Sequence, residues 1–200
     1  MAEIRTVSEA YTVEIDKVKG SRFIADLAPA GDERAALEFV ERIRSREPAA
    51  THHCWAYRLA GGRERSNDDG EPRDTAGPPI LRRIGGADLS DVVVVVTRYY
   101  GGTNLGRGGL IRAYGSATAE VIAVADVVVR QVRHTVALEH SYDLSAHVEA
   151  VLAAFDARPI AADYGELVSL RVAVPGDRVD EFIAAIAEST SGGVEAGRID

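Results

Sequence analysis

Asp91-Val-Val-Val-Val-Val-Thr-Arg-Tyr-Tyr-Gly-Gly-Thr-Asn-Leu-Gly-Arg-Gly-Gly-Leu-Ile-Arg-Ala-Tyr-Gly115 is the stretch whose reading decides the fold. Five consecutive valines, Val92 to Val96, are stiff β-branched residues that suit a pleated strand. Apolar side chains on both faces predict a strand buried on both faces, hence a central one. Five glycines then fall within nine residues, at positions 101, 102, 106, 108 and 109. From there Leu110, Tyr114, Ala117, Val121 and Ala125 recur at helical spacing. The stretch therefore reads strand, glycine loop, helix, and the loop lies at the carboxyl end of the strand, where binding chemistry often gathers.

Outward from this stretch, the N-terminal side alternates. Tyr11, Val13 and Ile15 predict a strand, Phe23 to Ala28 a second, and Gly20-Ser21 between them a hairpin. Asp32 is the expected N-cap of a helix over 33–46, with Ala36, Phe39, Val40 and Ile43 on one face and Pro48 ending it. His52 to Leu59 reads as a third strand. Residues 61–74 form a polar, charged loop without periodicity, followed by a short helix that Thr75 opens and Gly85-Gly86 closes. On the C-terminal side, Val127 to Tyr142 is strand-like, Asp143 and Asp177 are expected helix caps, and strands are predicted over 158–164, 166–174 and 193–199. The order β-α-β-β-α-β predicts a ferredoxin-like sandwich after a boundary near residues 131–135. Two α+β domains are expected, 1–133 and 134–200.

Charge supports the division. The net charge is −8, yet residues 1–133 carry 19 basic and 19 acidic side chains, whereas 134–200 carry 4 and 12. An anionic partner is thus expected to be met locally and in the first domain. A single cysteine, Cys54, excludes an internal disulfide and a multi-cysteine zinc site. No apolar run is long enough to span a membrane, and the N-terminus lacks a signal-peptide plan, so a cytoplasmic protein without a membrane partner is expected.

Four candidate sites follow. In the glycine loop, backbone N–H groups at a helix N-terminus would meet an anion, with Arg98, Arg107 and Arg112 adding charge-assisted contacts and Tyr99 and Tyr100 stacking on bases. Gly101, Gly102, Gly106, Gly108 and Gly109 would keep the approach open, or merely serve packing. No Walker lysine is present and the spacing is not that of a dinucleotide fingerprint. Asn67-Asp68-Asp69-Gly70-Glu71-Pro72 offers Asp68, Asp69 and Glu71 as magnesium ligands, or is an ordinary turn. His52-His53-Cys54 invites a nucleophile, although strand alternation puts His52 and Cys54 on one face and His53 on the other, and a lone cysteine is usually a small buried hydrophobe. The basic turn with Lys17, Lys19 and Arg22 is a possible phosphate contact or a solvated hairpin tip.

Ser21-Arg22-Phe23-Ile24, His52-His53-Cys54-Trp55, Asp68 to Pro72, Thr75 to Leu81, and the block Val96-Thr97-Arg98-Tyr99-Tyr100-Gly101-Gly102-x-x-Leu105-Gly106-x-Gly108-Gly109-Leu110-x-Arg112-Ala113-Tyr114-Gly115 resemble the IMPACT/YigZ family in order and spacing. Two departures stand out: Arg73-Asp74 replaces a small residue and glycine, and Asn67 replaces a serine. The resemblance implies a first domain with the left-handed βαβ fold of a small-subunit ribosomal protein and of the fourth domain of elongation factor G. It implies a second domain like the last domain of that factor. Both face the ribosome in those proteins. The expected function is therefore a non-enzymatic binding protein linked to translation regulation through RNA or ribosome contacts, with a protein partner also open and no cofactor. The alternative is a metal-assisted phosphoryl-transfer or hydrolytic enzyme using the acidic and glycine loops.

Overall fold

The valine run is the middle strand of a five-stranded antiparallel sheet in the computed structural model, which describes residues 3–199. In chain order the elements of this first unit are β1 (Glu3–Val7), β2 (Tyr11–Val18), β3 (Ser21–Pro29), α1 (Glu33–Arg46), β4 (His52–Arg58), β5 (Glu64–Asn67), α2 (Gly77–Gly86), β6 (Val92–Tyr99), α3 (Gly106–Val124) and β7 (Val127–Gln131). The sheet order is β2-β3-β6-β4-β5, and β1 pairs with β7 in a separate ladder. Both β3 and β4 run antiparallel to β6 and hence parallel to each other, joined across it by α1.

Strand alternation divides the five valines between two cores. Val93 and Val95 face α1 with Phe39, Val40, Ile43, Trp55 and Tyr57. Val92, Val94 and Val96 face α2 and α3 with Ile80, Ile84, Leu110, Tyr114 and Val121. All five are fully buried, at roughly 1.5 kcal/mol of transfer free energy each as an upper estimate. Asp32 caps α1 as expected, its carboxylate accepting the Ala35 N–H at 2.7 Å.

Residues 61–74 are not a structureless loop. Within them β5 pairs with β4, Trp55 opposite Asn67 through Arg58 opposite Glu64. As an edge strand it carries charge instead of an apolar face, so it leaves no periodic signal; Arg65 lies over the Trp55 ring and pairs with Glu33. The strand β1 was likewise not expected.

The backbone contacts divide the chain between Arg130 and Gln131, with Glu3 at the start of β1 grouped with the second unit. The second unit contains β8 (Arg133–His140), α4 (Ser145–Ala154), β9 (Arg158–Tyr164), β10 (Val168–Pro175), α5 (Val179–Ser189) and β11 (Glu195–Arg198). Its antiparallel sheet has the order β11-β8-β10-β9, the ferredoxin-like arrangement, around Val136, Leu138, Val148, Val172, Phe182 and Ile186. The expected caps differ: short 3-10 turns at Tyr142–Leu144 and Gly176–Arg178 precede α4 and α5, and neither helix has a side-chain cap. Among the described residues no helix is long and apolar enough to cross a membrane.

Candidate functional site

Past Val96, β6 continues its alternation and sends successive side chains of the motif to opposite faces. Arg98 points into the α2–α3 side and is only 4% exposed. Its Nη1 donates to Glu71 Oε1 at 2.6 Å and its Nη2 to Ser21 Oγ at 3.2 Å, while Nε is buried without a partner. The guanidinium lies between the Phe23 and Tyr100 rings, 5.6 and 5.4 Å from their centroids. Tyr99 turns the other way; its hydroxyl donates to Glu47 Oε2 at 2.7 Å, and Arg22 covers its ring. That carboxylate pushes the phenol's pKa up. Tyr100 is the exposed one, at 48%, its N–H held by Thr51 Oγ1. The two tyrosines of the sequence motif thus do different things, and Arg98 lies beneath the surface, backing Tyr100.

The acidic loop folds back onto the same end of the sheet, but its carboxylates disperse. Asp68 caps α2: Oδ1 accepts the N–H groups of Ala76 and Gly77 at 2.9 Å, and Oδ2 accepts that of Asp74 at 2.8 Å. Asp69 accepts from Arg44 Nη2 and from the His53 N–H. Glu71 accepts from Arg98 and from the Tyr114 hydroxyl at 2.7 Å. Among the described residues no group of three or more histidines, cysteines or carboxylates is placed to hold a metal ion. Glu71 therefore converges with Arg98, whereas Asp68 and Asp69 serve backbone and Arg44.

Cys54 completes this buried polar chain. Its sulfur lies 3.3 Å from the Tyr114 hydroxyl and 3.0 Å from the Asp68 carbonyl oxygen. Burial pushes both the thiol and the phenol far up, so neither ionises in the folded state near neutral pH. His52 and Cys54 share a face and His53 faces α1, as alternation requires. His52 Nδ1 faces the Asp69 carbonyl oxygen at 2.8 Å, which requires the proton on Nδ1, and Nε2 lies 4.0 Å from Glu71. The arrangement has the chemistry of a rigid hydrogen-bonded core and lacks an activated nucleophile.

The glycine loop rests on the basic hairpin. Lys19 and Gly20 both have positive φ, 47° and 85°, as a two-residue turn of the primed type requires. Gly101 passes so close that a Cβ there would stand 2.0 Å from the Gly20 carbonyl carbon. Its N–H donates to Ser21 Oγ, the hydroxyl that also holds Arg98. Within the turn, Arg22 is tied bidentately to Glu14, leaving Lys17 and Lys19 exposed. Beyond it, α3 starts at Gly106 with no side-chain cap. Gly102, Gly106, Arg107, Gly108 and Arg112 are exposed, Gly109 is partly so, and Arg107 bonds the Arg73 carbonyl at 2.9 Å. The first turn of α3 therefore has no side-chain cap and has Arg107 and Arg112 beside it, an arrangement with the chemistry to accept an anion.

Ser21, Thr51, Glu47 and Tyr114 hold this region together and were absent from the sequence candidates. Tyr114 carried the signal of a core position and Ser21 and Tyr114 stood within the blocks of the family resemblance, while Thr51 and Glu47 carried no signal beyond their neighbourhood.

A family model described as the Impact N-terminal domain matches residues 19–122, and a second, described as Domain of unknown function (DUF1949), matches 138–192. The chain is 37% identical over 194 residues to the IMPACT family member YigZ of Escherichia coli strain K12, covering 94% of this chain and 95% of that protein. It is 35% identical over 189 residues to the IMPACT family member YvyE of Bacillus subtilis strain 168, covering 94% and 87%. A crystal structure described as that of a hypothetical protein superposes with a TM-score of 0.75 at 35% identity, covering 100% of this chain and 98% of the other.

Proposed function

We propose that this chain, which belongs to the IMPACT family, is a non-enzymatic binding protein that acts in translation regulation through contacts with RNA or the ribosome. The observation that carries the reading is Gly108. It sits exposed in the first turn of α3 with an ordinary φ, and an added Cβ would meet nothing closer than Arg112 Nη1 at 3.5 Å, an ordinary contact. Packing therefore does not call for glycine here, although glycine costs roughly 0.5–1 kcal/mol against alanine within a helix. A bare turn lets a phosphate approach the backbone N–H groups directly.

The surroundings fit the same ligand. The acidic side chains of 68–71 are engaged by protein donors, while Lys19, Arg107 and Arg112 are exposed and form no ion pair among the described residues. Tyr100 adds a half-exposed ring on which a base can stack. Three phosphate contacts on a single strand give a log–log salt slope of about −2, and a chain of net charge −8 has no general field to add to it. The metal-assisted alternative asks Asp68, Asp69 and Glu71 to leave these partners, and no observation favours it.

Co-sedimentation with ribosomal subunits and short RNAs over a salt series tests the reading. Binding at low salt, weakened by Arg107→Ala, by Arg112→Ala and by Gly108→Ala, is expected. Gly108→Ala is the sharpest, because it should keep or gain about 0.4–1 kcal/mol of stability while losing affinity. Absence of sedimentation and of RNA binding at the lowest salt refutes it.

A further inference from the structure

Between the β2–β3 hairpin and α3 lies a cavity of about 190 Å³ that the motif itself does not announce. Ile15 and Val18 of β2 form one wall, and Leu105 and Ala113 the other. Lys19 and Arg112 stand at its rim, and neither makes an ion pair or side-chain hydrogen bond among the described residues. Gly109 lies between the two walls, and a Cβ there would stand 3.0 Å from the Leu105 Cβ, so a larger residue would shift that wall slightly.

The volume is below the roughly 300–1,000 Å³ of sites for drug-sized ligands. It is nevertheless far above the roughly 10–15 Å³ that a single water molecule requires. A space of this volume is on the scale of a single ring system. Its walls reward an apolar face, and its two unpaired cations reward an anion attached to that ring. Aliphatic walls with a cationic rim are the complement of a heterocycle joined to a phosphate.

We propose that this cavity takes one unstacked nucleobase of a single-stranded RNA, with the adjoining phosphate held by Lys19 and Arg112. The inference rests on the reading of the glycine-loop surface as an RNA contact and deepens it, by adding a pocket for one base beside that surface. A base in a duplex is stacked and paired and cannot enter, so the site selects loops, ends and single strands. Arg112 belongs to both places: it lines the cavity and lies within 3.5 Å of the point where a Gly108 Cβ would stand. The strand would run from the first turn of α3 toward the hairpin tip.

The test uses the full chain, labelled with 15N and titrated with single-stranded RNA hexamers, with the same sequences as duplexes, and with nucleoside monophosphates. The expected result is that single-stranded hexamers move the amide signals of Gly109, Ala113 and Ser116 and that duplexes do not. Ser116 is exposed on α3 at the edge of the cavity, so Ser116→Leu fills it without disturbing the core. That variant should bind the hexamer about tenfold more weakly, about 1.4 kcal/mol. Lys19→Asn, which tolerates the positive φ of this position, should weaken it similarly. If Ser116→Leu binds within twofold of the parent while Arg107→Ala weakens binding, the pocket is refuted and the surface reading stands. If monophosphates move these amides and no RNA does, the cavity belongs to a free nucleotide and the RNA assignment is overturned. If neither ligand class moves any signal, both readings fall together.

Discussion

Truncating Glu71 to alanine should destabilise the first unit severely, because Glu71 holds two buried donors at once. Its side chain and that of Arg98 are 3% and 5% exposed, and Oε1 accepts from both Arg98 Nη1 and the Tyr114 hydroxyl. In Glu71→Ala the guanidinium keeps only Ser21 Oγ as a hydrogen-bond acceptor and loses its counter-charge. Breaking a buried pair from one side costs about 3–5 kcal/mol. The lost acceptor for Tyr114 adds about 1 kcal/mol, softened by the nearby Cys54 sulfur. A loss of about 4–6 kcal/mol is comparable to the whole stability of many domains. For a unit of this size, at about 3–5 °C per kcal/mol, the thermal midpoint should fall by about 12–30 °C. The same argument makes Arg98→Met/Glu71→Met much milder than Glu71→Ala, since replacing both partners with apolar side chains leaves no stranded charge. Urea and thermal unfolding of the full chain, following the transition of the first unit, measure both variants. A Glu71→Ala protein within about 1 kcal/mol of the parent, or a double variant as unstable as the single one, would refute the structural role of the pair.

Three further outcomes are expected. Gly101→Ala should cost several kcal/mol, because its Cβ would collide with backbone of the β2–β3 turn, whereas Gly108→Ala should not; paired denaturation curves compare them. Cys54 should resist thiol reagents in the native protein and react only as fast as the chain opens, since burial holds its pKa up and the thiol uncharged; labelling kinetics across urea concentrations test this. Asp91 has its carboxyl pushed up by burial, against the pull of the Ala60 N–H that Oδ1 accepts at 2.7 Å. A raised folded pKa contributes stability only below the ordinary aspartate range and loses it as pH rises through the folded value. Asp91→Asn keeps the acceptor and suits the positive φ of 54°, so it should raise the midpoint at pH 7 and confer no gain near pH 3.

What the sequence made legible was whatever local pattern controls. The valine run, the α1 face, the hairpin at Gly20 and the β-α-β-β-α-β order are statements about neighbours in the chain, and burial follows them. The buried ion pair is different. Arg98 and Glu71 are 27 positions apart, and Glu71 lies in a stretch whose composition matches a solvated turn. Nothing local says that Asp68 will cap a helix starting at Gly77, or that Asp69 will reach Arg44 on α1. The reason for glycine at 101 is a backbone contact with Gly20, distant from it in sequence and adjacent in space. In each case the deciding partner comes from tertiary packing, while the residue itself looks like a surface or binding residue.

The motif that reads as one binding loop therefore separates into two layers with different physical duties. Arg98, Tyr99 and Gly101 look inward: they fix the end of β6 to Glu71, Glu47 and the hairpin turn. Tyr100, Arg107, Gly108 and Arg112 look outward, and at Gly108 packing does not call for glycine. The inner layer matters to the outer one because it sets position. Arg98 lies behind the Tyr100 ring, and Ser21 Oγ holds both Arg98 and the Gly101 N–H, so the ring and the start of the glycine loop are anchored to the same buried point. Under the proposed function, a surface held this rigidly would lose little further freedom on meeting a ligand, so that a few weak contacts would suffice despite the acidic charge of the whole chain. Variants of the inner layer should consequently abolish binding and stability together, and only outer-layer variants can separate the two.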